Sequence, residues 1–227
     1  MYIDGELVSS VNNKTKEIFS PLNDEKFATL SWANSLDSER ALKSAEQGFQ
    51  NWSKTPLKKR KEWMLILRDK ILEKEEILRK SISYEMGKPY GATAEDIESI
   101  TNSLKYYSDI IEDYQKDKEI IDPDGTHSHH LVSKPIGVVV AYLAWNFPLL
   151  NAGFKLGPAL ASGCSIILKP SELSPVSLYI IGEILHEINF PKGVVNILCG
   201  EPNEVATTLS KSTLPCLLYT SDAADDR

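Results

Sequence analysis

Apolar residues recur at two different spacings along this chain. Between about Asp37 and Gln115 they return every three or four residues, the spacing that places them on one face of an α-helix. From Pro135 onwards, short runs rich in Val, Ile and Leu alternate with helical stretches. The change of period predicts an α/β protein in which a helical N-terminal segment with small β-hairpins precedes a parallel-sheet region.

Three helices are predicted in the first half. The first spans about Asp37 to Trp52, and the third spans about Glu95 to Gln115. The second begins with Thr55 as its N-cap and Pro56 as its first helical residue, and it ends near the stop signal at Gly87. We interpret it as one continuous helix. Its apolar stripe consists of Trp63, Leu67, Ile71, Leu78 and Ile82.

Turn-rich segments flank these helices. Asp4-Gly5 and Asn23-Asp24 each lie between two short β-prone runs, so each predicts a hairpin. A polar segment at 116–134 is predicted to be an arm or a connection. It contains three histidines, which we expect in an exposed loop because a zinc site needs further ligands at suitable spacing. These are His127, His129 and His130.

The second half repeats a strand–helix unit. Such alternation predicts a parallel sheet with right-handed crossover connections. The predicted strands are Gly137–Leu143, Ser165–Leu168 and Val194–Leu198. The predicted helices are Leu149–Ala161, which Gly163 caps, Pro175–Ile188 and Asn203–Leu209.

Composition excludes some classes of function. The 227 residues are 42% hydrophobic and 25% charged, which is ordinary for a globular protein. The formal net charge of −7 argues against a general nucleic-acid binder. The basic run at 58–61 does not change this, because acidic residues follow it on the same predicted helix and indicate a solvated helix face.

Nothing in the chain predicts a membrane or secretory segment. No apolar run reaches the ~18 residues that a spanning helix needs, and Asp4 and Glu6 stand where a signal peptide is apolar. Cys164, Cys199 and Cys216 are odd in number and widely spaced, which suits a reducing compartment better than a disulfide framework. We therefore expect a cytoplasmic protein without a membrane partner.

Polar residues stand directly after two of the predicted strands. Trp145-Asn146-Phe147-Pro148 follows the first strand, and Lys169-Pro170-Ser171-Glu172 follows the second. Open α/β sheets bind ligands at the carboxyl ends of their strands. Because neither a G-x-G-x-x-G after the first strand nor a P-loop occurs, the residues alone predict only a nucleotide-sized ligand at this edge.

Five motifs, in order and at similar spacing, resemble the aldehyde dehydrogenase superfamily over roughly residues 1–214. Glu85-x-Gly87-Lys88-Pro89 in the helical half matches more loosely. The resemblance implies a dinucleotide-binding fold and the NAD(P)-dependent oxidation of an aldehyde through a thiohemiacetal. The five motifs are Pro135-Ile-Gly-Val-Val139, Trp145-Asn-Phe-Pro148, Gly157-Pro-Ala-Leu-Ala-x-Gly-Cys164, Lys169-Pro-Ser-Glu172 and Phe190-Pro-x-Gly-Val-Val-Asn196.

The resemblance also implies roles for single residues. Asn146 corresponds to the amide that donates a hydrogen bond to the developing oxyanion, a bond typically worth ~2.7–4 kcal/mol in the transition state. Lys169 and Glu172 correspond to the pair that binds the adenosine ribose, where a carboxylate favours NAD over NADP. NADP stays possible. The expected cofactor-binding residues are Tyr142, Leu143, Ala144, Trp145, Asn146, Lys169, Pro170, Ser171 and Glu172.

One departure from the family concerns glycines near the cofactor. Glu201-Pro202-Asn203 and Ala206 occupy positions after Gly200 where the family often has glycine. We therefore expect the contacts between the following helix and the cofactor pyrophosphate to differ.

The family's catalytic cysteine and its base glutamate normally lie well beyond residue 214. We expect Cys164 and Cys199 to be structural instead. Cys216 lies in a tail, 215–227, that matches nothing in the family, and we interpret this tail as a sequence-assembly or read-through artefact.

These observations predict a fragment that is inactive alone. Its parent is expected to oxidise a small aliphatic aldehyde or semialdehyde and to form a homo-oligomer. The alternatives are a non-catalytic nucleotide-binding fragment and a reductase of the same fold that acts on acyl phosphates or acyl thioesters. The expected organisation is 1–115 for hairpins and helices, 116–134 for a connecting or oligomerisation arm, 135–214 for an incomplete dinucleotide-binding region and 215–227 for the tail.

Overall fold

The computed structural model describes residues 1–220 of the chain. Both predicted hairpins are confirmed. β1 (Tyr2–Ile3) and β2 (Glu6–Leu7) form the first, and β3 (Thr15–Phe19) and β4 (Lys26–Ser31) form the second. Each turn contains an aspartate with φ 58°, in the left-handed region that aspartate tolerates better than most residues.

The helical half is confirmed in type but not in number. The prediction of one helix from Thr55 to Gly87 is wrong, because two helices meet at Lys74. Ile71 and Leu78 lie seven residues apart, almost two full turns, so the apolar stripe keeps its phase across the break and does not reveal it. The four helices are α1 (Ser35–Trp52), α2 (Leu57–Glu73), α3 (Glu75–Met86) and α4 (Ala94–Tyr114).

The predicted start of the second helix is also wrong by one residue. Pro56 takes the N-cap position with an extended ψ of 143°, and α2 begins at Leu57. The Thr55 hydroxyl donates to the Asn51 carbonyl oxygen at 3.1 Å. Thr55 therefore closes the end of α1 instead of capping α2. The predicted stop at Gly87 is confirmed, with φ 71° in the left-handed region.

The segment 116–134 forms a hairpin of its own. β5 (Lys118–Ile121) and β6 (Ser128–Leu131) pair antiparallel, and both strands are exposed. The three histidines are exposed as predicted, but two of them lie in β6 and not in a loop. Within residues 1–220, no three His, Cys, Asp or Glu side chains are placed to hold a metal ion.

The strand–helix alternation after residue 135 is confirmed. Its boundaries shift by up to two residues; the largest shifts are at α7, which begins at Val205 and not at Asn203 and ends at Lys211 and not at Leu209. The elements are β7 (Val138–Tyr142), α5 (Pro148–Ser162), β8 (Ser165–Lys169), α6 (Val176–Glu187), β9 (Val195–Ile197), α7 (Val205–Lys211) and β10 (Pro215–Tyr219).

The main sheet has the strand order β10-β7-β8-β9-β1-β2. The first four strands are parallel, and β1 joins β9 antiparallel through Tyr2 and Ile197. The predicted tail contributes to this sheet, because residues 215–219 form β10 beside β7. Residues 221–227 of that tail lie outside the described part of the chain.

Alternating side chains of the strands reach two cores. Val139, Ala141, Ile166 and Leu168 lie in a larger core under α2 to α6. Val138, Val140 and Ile167 lie in a smaller core under α1 and α7. Strands covered on both faces are fully apolar, which is why β7 and β8 read as continuous apolar runs. Among the described residues, no helix is long and apolar enough to cross a bilayer.

Candidate functional site

β7 and β8 end side by side at one edge of the sheet. Tyr142 pairs with Lys169, and the Leu143 N–H donates to the Lys169 carbonyl oxygen at 3.0 Å. Because the strands are parallel, the polar segments after them leave the sheet at the same edge. The structure thus brings together the two segments that the sequence singled out.

Asn146 lies in the turn between β7 and α5, and it is exposed. Its neighbour Trp145 is 53% exposed, and the Trp145 carbonyl oxygen accepts a hydrogen bond of 2.9 Å from the Ser174 hydroxyl. No hydrogen bond joins the Asn146 side chain to another residue within 1–220. Its amide is therefore available to donate to a ligand atom.

The N-terminus of α5, the helix that follows this turn, is capped by a buried carboxylate. Asp96 is fully buried and accepts hydrogen bonds from the N–H groups of Leu149 and Leu150 at 3.2 and 3.3 Å. The Lys88 ammonium donates to the other Asp96 oxygen at 2.7 Å and lies 3.7 Å from the centroid of the Phe147 ring. Asp96 was not among the residues predicted from the sequence.

The start of α6 is built in a similar way. Glu85 is buried and accepts hydrogen bonds from the Val176 N–H at 2.6 Å and from the Ser177 hydroxyl at 2.5 Å. Burial raises the pKa of Glu85 to about 7, although these hydrogen bonds lower it. The motif Glu85-x-Gly87-Lys88-Pro89 therefore contacts the start of α6 through Glu85 and the turn before α5 through Lys88.

Lys169, the last residue of β8, forms an ion pair with Glu172 in the loop that follows. Lys169 is 6% exposed, and its ammonium donates to Glu172 and, at 3.3 Å, to the Pro170 carbonyl oxygen. The Ser171 hydroxyl accepts from the Leu173 N–H at 3.3 Å and so shapes the loop. Glu172 is partly exposed, so the pair faces solvent through its carboxylate.

This pair suits a sugar with two adjacent hydroxyl groups. A lysine has three N–H donors, and two of them are used within the described residues. The carboxylate keeps an oxygen that can accept from a hydroxyl, and the ammonium can donate to one. The residues present therefore fit the ribose of a nucleotide.

The other predicted cofactor-binding residues, at the end of β7 and just after it, differ in which of their groups a ligand can reach. The Tyr142 hydroxyl donates to the Ala206 carbonyl oxygen at 3.1 Å, which ties β7 to α7, and burial raises the pKa of Tyr142. Leu143 is buried in the larger core, so only its backbone can reach a ligand at the edge. Ala144 is half-buried.

The region without the expected glycines has a carboxylate with a defined partner. Glu201 accepts a hydrogen bond of 2.9 Å from the indole N–H of the buried Trp32. Gly200 pairs with Ala33, and a Cβ at Gly200 would lie 2.1 Å from the Ala33 oxygen. Glycine is required there by this close approach, whereas the next position accepts a side chain.

Each of the three cysteines is either buried or distant from the Asn146 amide. Cys164 and Cys199 are free and buried, as expected of structural cysteines, and burial raises the pKa of Cys199 to about 12. Cys216 is exposed on β10, where a Cβ at Gly137 would lie 2.4 Å from its sulfur. Gly137 precedes β7, so Cys216 lies at the amino end of the sheet, opposite Asn146.

Several known proteins are similar to this chain. The sequence model of the aldehyde dehydrogenase family matches residues 7–217. The peroxisomal aminoaldehyde dehydrogenase 2 of Malus domestica is 33% identical over 217 residues, which cover 92% of this chain and 43% of that protein. The chloroplastic betaine aldehyde dehydrogenase of Amaranthus hypochondriacus is 33% identical over 207 residues, with 88% and 41% covered.

Solved structures of similar proteins agree with the fold. The crystal structure of betaine aldehyde dehydrogenase from Staphylococcus aureus in complex with NAD+ has a TM-score of 0.89 and 34% identity, covering 96% of this chain and 43% of that one. The predicted fold class is thereby confirmed. The chain spans less than half the length of the relatives that it matches. The family match ends at 217, three residues beyond the expected 214.

Proposed function

Because this chain belongs to the aldehyde dehydrogenase family, we propose that the protein of which it forms part oxidises an aldehyde to a carboxylic acid. The observation that carries the proposal is the meeting of Asn146 and the Lys169–Glu172 pair at one edge of the parallel sheet. NAD, when bound, supplies the oxidant. The relatives are named for different aldehydes, so the proposed substrate is the aldehyde class, semialdehydes included.

Lys169 and Glu172 are the proposed holders of the cofactor's adenosine ribose. Glu172 accepts hydrogen bonds from ribose hydroxyls, and its charge disfavours a 2′-phosphate, so NAD is preferred over NADP. Pro170 and Ser171 set the path of the loop between them. The remaining proposed contacts come from the segment after β7, through Tyr142, Leu143, Ala144 and Trp145.

Asn146 is the proposed oxyanion donor. When a thiolate attacks the aldehyde carbon, the C=O bond opens and its oxygen gains the negative charge of a thiohemiacetal anion. A neutral amide that is exposed at the sheet edge can donate an N–H to that oxygen without losing a proton.

We propose that the chain alone does not turn over aldehydes. Cys199 is buried with a raised pKa, and Cys164 is buried too. Cys216 lies at the opposite end of the sheet from Asn146. A strand of five residues is about 13 Å long, which separates a thiol at one end from an amide at the other. The nucleophile therefore comes from outside residues 1–220, and the resemblance to the family implies the same for the base glutamate.

The exposed hairpin at 116–134 is the proposed oligomerisation arm of the parent protein. Its strands expose large apolar side chains, which is typical of a surface that another chain covers. These are Ile120, Ile121 and Leu131. We propose the cytoplasm as its compartment, because all three cysteines are free.

Titration calorimetry of the 227-residue chain tests the cofactor site. We expect NAD to bind more tightly than NADP, and Glu172→Gln to weaken NAD binding about tenfold to a hundredfold, because a hydrogen bond to a charged group contributes ~1.5–3 kcal/mol. Glu112→Gln, an exposed carboxylate on α4, is the matched control. Failure to bind NAD, or equal binding by the Glu172 variant, contradicts the proposal.

The gene downstream of this chain, and not turnover by the chain itself, separates the dehydrogenase from a non-catalytic nucleotide-binding module. The chain should form no NADH with betaine aldehyde or an aminoaldehyde. The reading frame after the codon for Pro215, sequenced from the source genome, then decides between the two. A cysteine flanked by Gln and Gly, together with a glutamate, supports the dehydrogenase. A genuine stop after Arg227 favours the binding module.

A further inference from the structure

The turn that contains Asn146 is held by groups outside it. The Ser174 hydroxyl binds the Trp145 carbonyl oxygen at 2.9 Å, on the N-terminal side of Asn146. On the C-terminal side, the Lys88 ammonium lies 3.7 Å from the centroid of the Phe147 ring. Every one of these contacts is made by the neighbours of Asn146, and its own amide stays exposed. The turn is therefore fixed without use of the amide itself.

Lys88 and Asp96, which we name the Lys88–Asp96 pair, form the strongest of these supports. Their side chains are 12% and 0% exposed, and their charged atoms lie 2.7 Å apart. Asp96 also accepts two backbone N–H groups from the first turn of α5. A buried ion pair with additional hydrogen bonds is rigid, because any displacement leaves a charge unpaired and desolvated.

The geometry also matters for charge. Without a cation, the Asp96 carboxylate would stand behind the turn as a buried negative charge and would disfavour a second negative charge in front of it. Lys88 neutralises Asp96 and at the same time contacts the ring next to Asn146. Lysine thus performs two tasks that a neutral helix cap does not.

We propose that Lys88 and Asp96 are positioning residues that hold the Asn146 amide where it meets the developing oxyanion. This inference rests on the role of Asn146 proposed above. The value of an oxyanion donor depends on its being held in place before the reaction. The pair supplies that restraint from α4 and from the segment that follows α3.

NMR relaxation of the isotope-labelled 227-residue chain tests the pair directly. We expect order parameters near ~0.85 for the backbone N–H groups of Asn146 and Phe147 in the wild type, falling below ~0.6 in Lys88→Met. Lys88→Arg should restore them, because arginine keeps both the charge and the contact with the ring. Lys105→Met, an exposed lysine that pairs with Asp109 on α4, is the matched control.

Two outcomes overturn the inference. One is an unchanged order parameter at Asn146 in a folded Lys88→Met chain. The other is a loss that spreads evenly over β7 and β8, since that indicates a purely structural role. If Lys88→Met does not fold, Phe147→Leu replaces it, because it removes the ring and leaves the ion pair; it should loosen Asn146 while the Leu149 amide stays ordered.

The same sample distinguishes this inference from the proposed function. NAD binding is measured on each variant, and the Lys88 variants should still bind NAD because Lys169 and Glu172 are untouched. Loss of order at Asn146 in a chain that binds no NAD refutes the proposed function and leaves the restraint by Lys88 standing. NAD binding with no change in order refutes the restraint alone.

Discussion

The N-termini of α5 and α6 are each capped by a buried carboxylate, but the charge of that carboxylate is balanced differently at the two helices. Each first turn is capped by a buried carboxylate from the helical half, Asp96 for α5 and Glu85 for α6. Asp96 has Lys88 at 2.7 Å. Glu85 has only hydrogen-bond donors among the described residues, and burial raises its pKa to about 7.

The difference teaches that a cap and a counter-charge are separate requirements. Helix N-termini attract carboxylates through their free N–H groups, and this attraction is worth up to ~2 kcal/mol in partly buried sites. That amount offsets only part of the cost of burying a charge, which is several kcal/mol. A lysine supplies the rest at α5, next to the proposed oxyanion donor. At α6 the raised pKa leaves the Glu85 carboxylate only partly ionised near neutral pH.

The largest expected effect follows from removal of the paired carboxylate. Asp96→Ala leaves the Lys88 ammonium buried without its partner and two N–H groups of α5 unsatisfied, so we expect a loss of ~3–5 kcal/mol in the free energy of unfolding. Urea denaturation measures it. Asp109→Ala, which removes an exposed carboxylate from the same helix, should change little. Equal losses in the two variants would refute the importance of the buried pair.

The next effect concerns pH. Because the folded-state pKa of Glu85 is raised from 4.5 to about 7, its contribution to stability is complete below the unfolded pKa and is lost as the pH rises through about 7. Glu85→Gln cannot ionise, so its unfolding free energy should fall by roughly 3 kcal/mol less than that of the wild type between about pH 4 and pH 8. Parallel curves for the two proteins would show that Glu85 does not titrate in this range.

A smaller effect concerns the hydrogen bond that joins the segments before α5 and α6. Ser174 lies before α6 and binds the Trp145 carbonyl oxygen of the turn before α5. Ser174→Ala should lower the unfolding free energy by ~1 kcal/mol, the net value of one buried hydrogen bond. Ser9→Ala, at an exposed position, serves as the control. Identical stability of the two variants would mean that the two segments are held independently.

The smallest effect compares the two ends of the sheet by chemical labelling. Iodoacetamide should modify Cys216, which is exposed at the amino end, and leave Cys164 and Cys199 unmodified in the folded chain. Burial raises the pKa of Cys199 to about 12, so its thiolate is scarce at neutral pH. Mass spectrometry of the digested protein locates the label. Rapid labelling of Cys199 would place a reactive thiol near the proposed cofactor site.

The parallel-sheet half was predictable because each strand and helix carries its own local pattern. Buried parallel strands read as apolar runs, and their alternation with helical stretches leaves few arrangements. The break at Lys74 was not predictable, since the apolar stripe continues in phase through it. The use of Thr55 at the end of α1 was missed because one hydroxyl can serve either helix.

The site was predictable only where its residues lie on motifs. Asn146 and Glu172 follow strands, Lys169 is the last residue of one, and all three match a family pattern. Asp96 and Ser174 act on residues 53 and 29 positions away, and no local pattern in one sequence reports such contacts. A carboxylate in the first turn of a helix is also an ordinary cap for its own helix, so Asp96 carried no distinct signal.

The central claim is that the carboxyl edge of the sheet is a cofactor site beside a restrained Asn146. The most direct test is an NAD titration of the labelled chain followed by two-dimensional amide NMR. Our account predicts shifts confined to 142–146, 169–172 and 200–206, with the Asn146 side-chain amide among them. Shifts centred on the hairpin at 116–134, or none at saturating NAD, would contradict it.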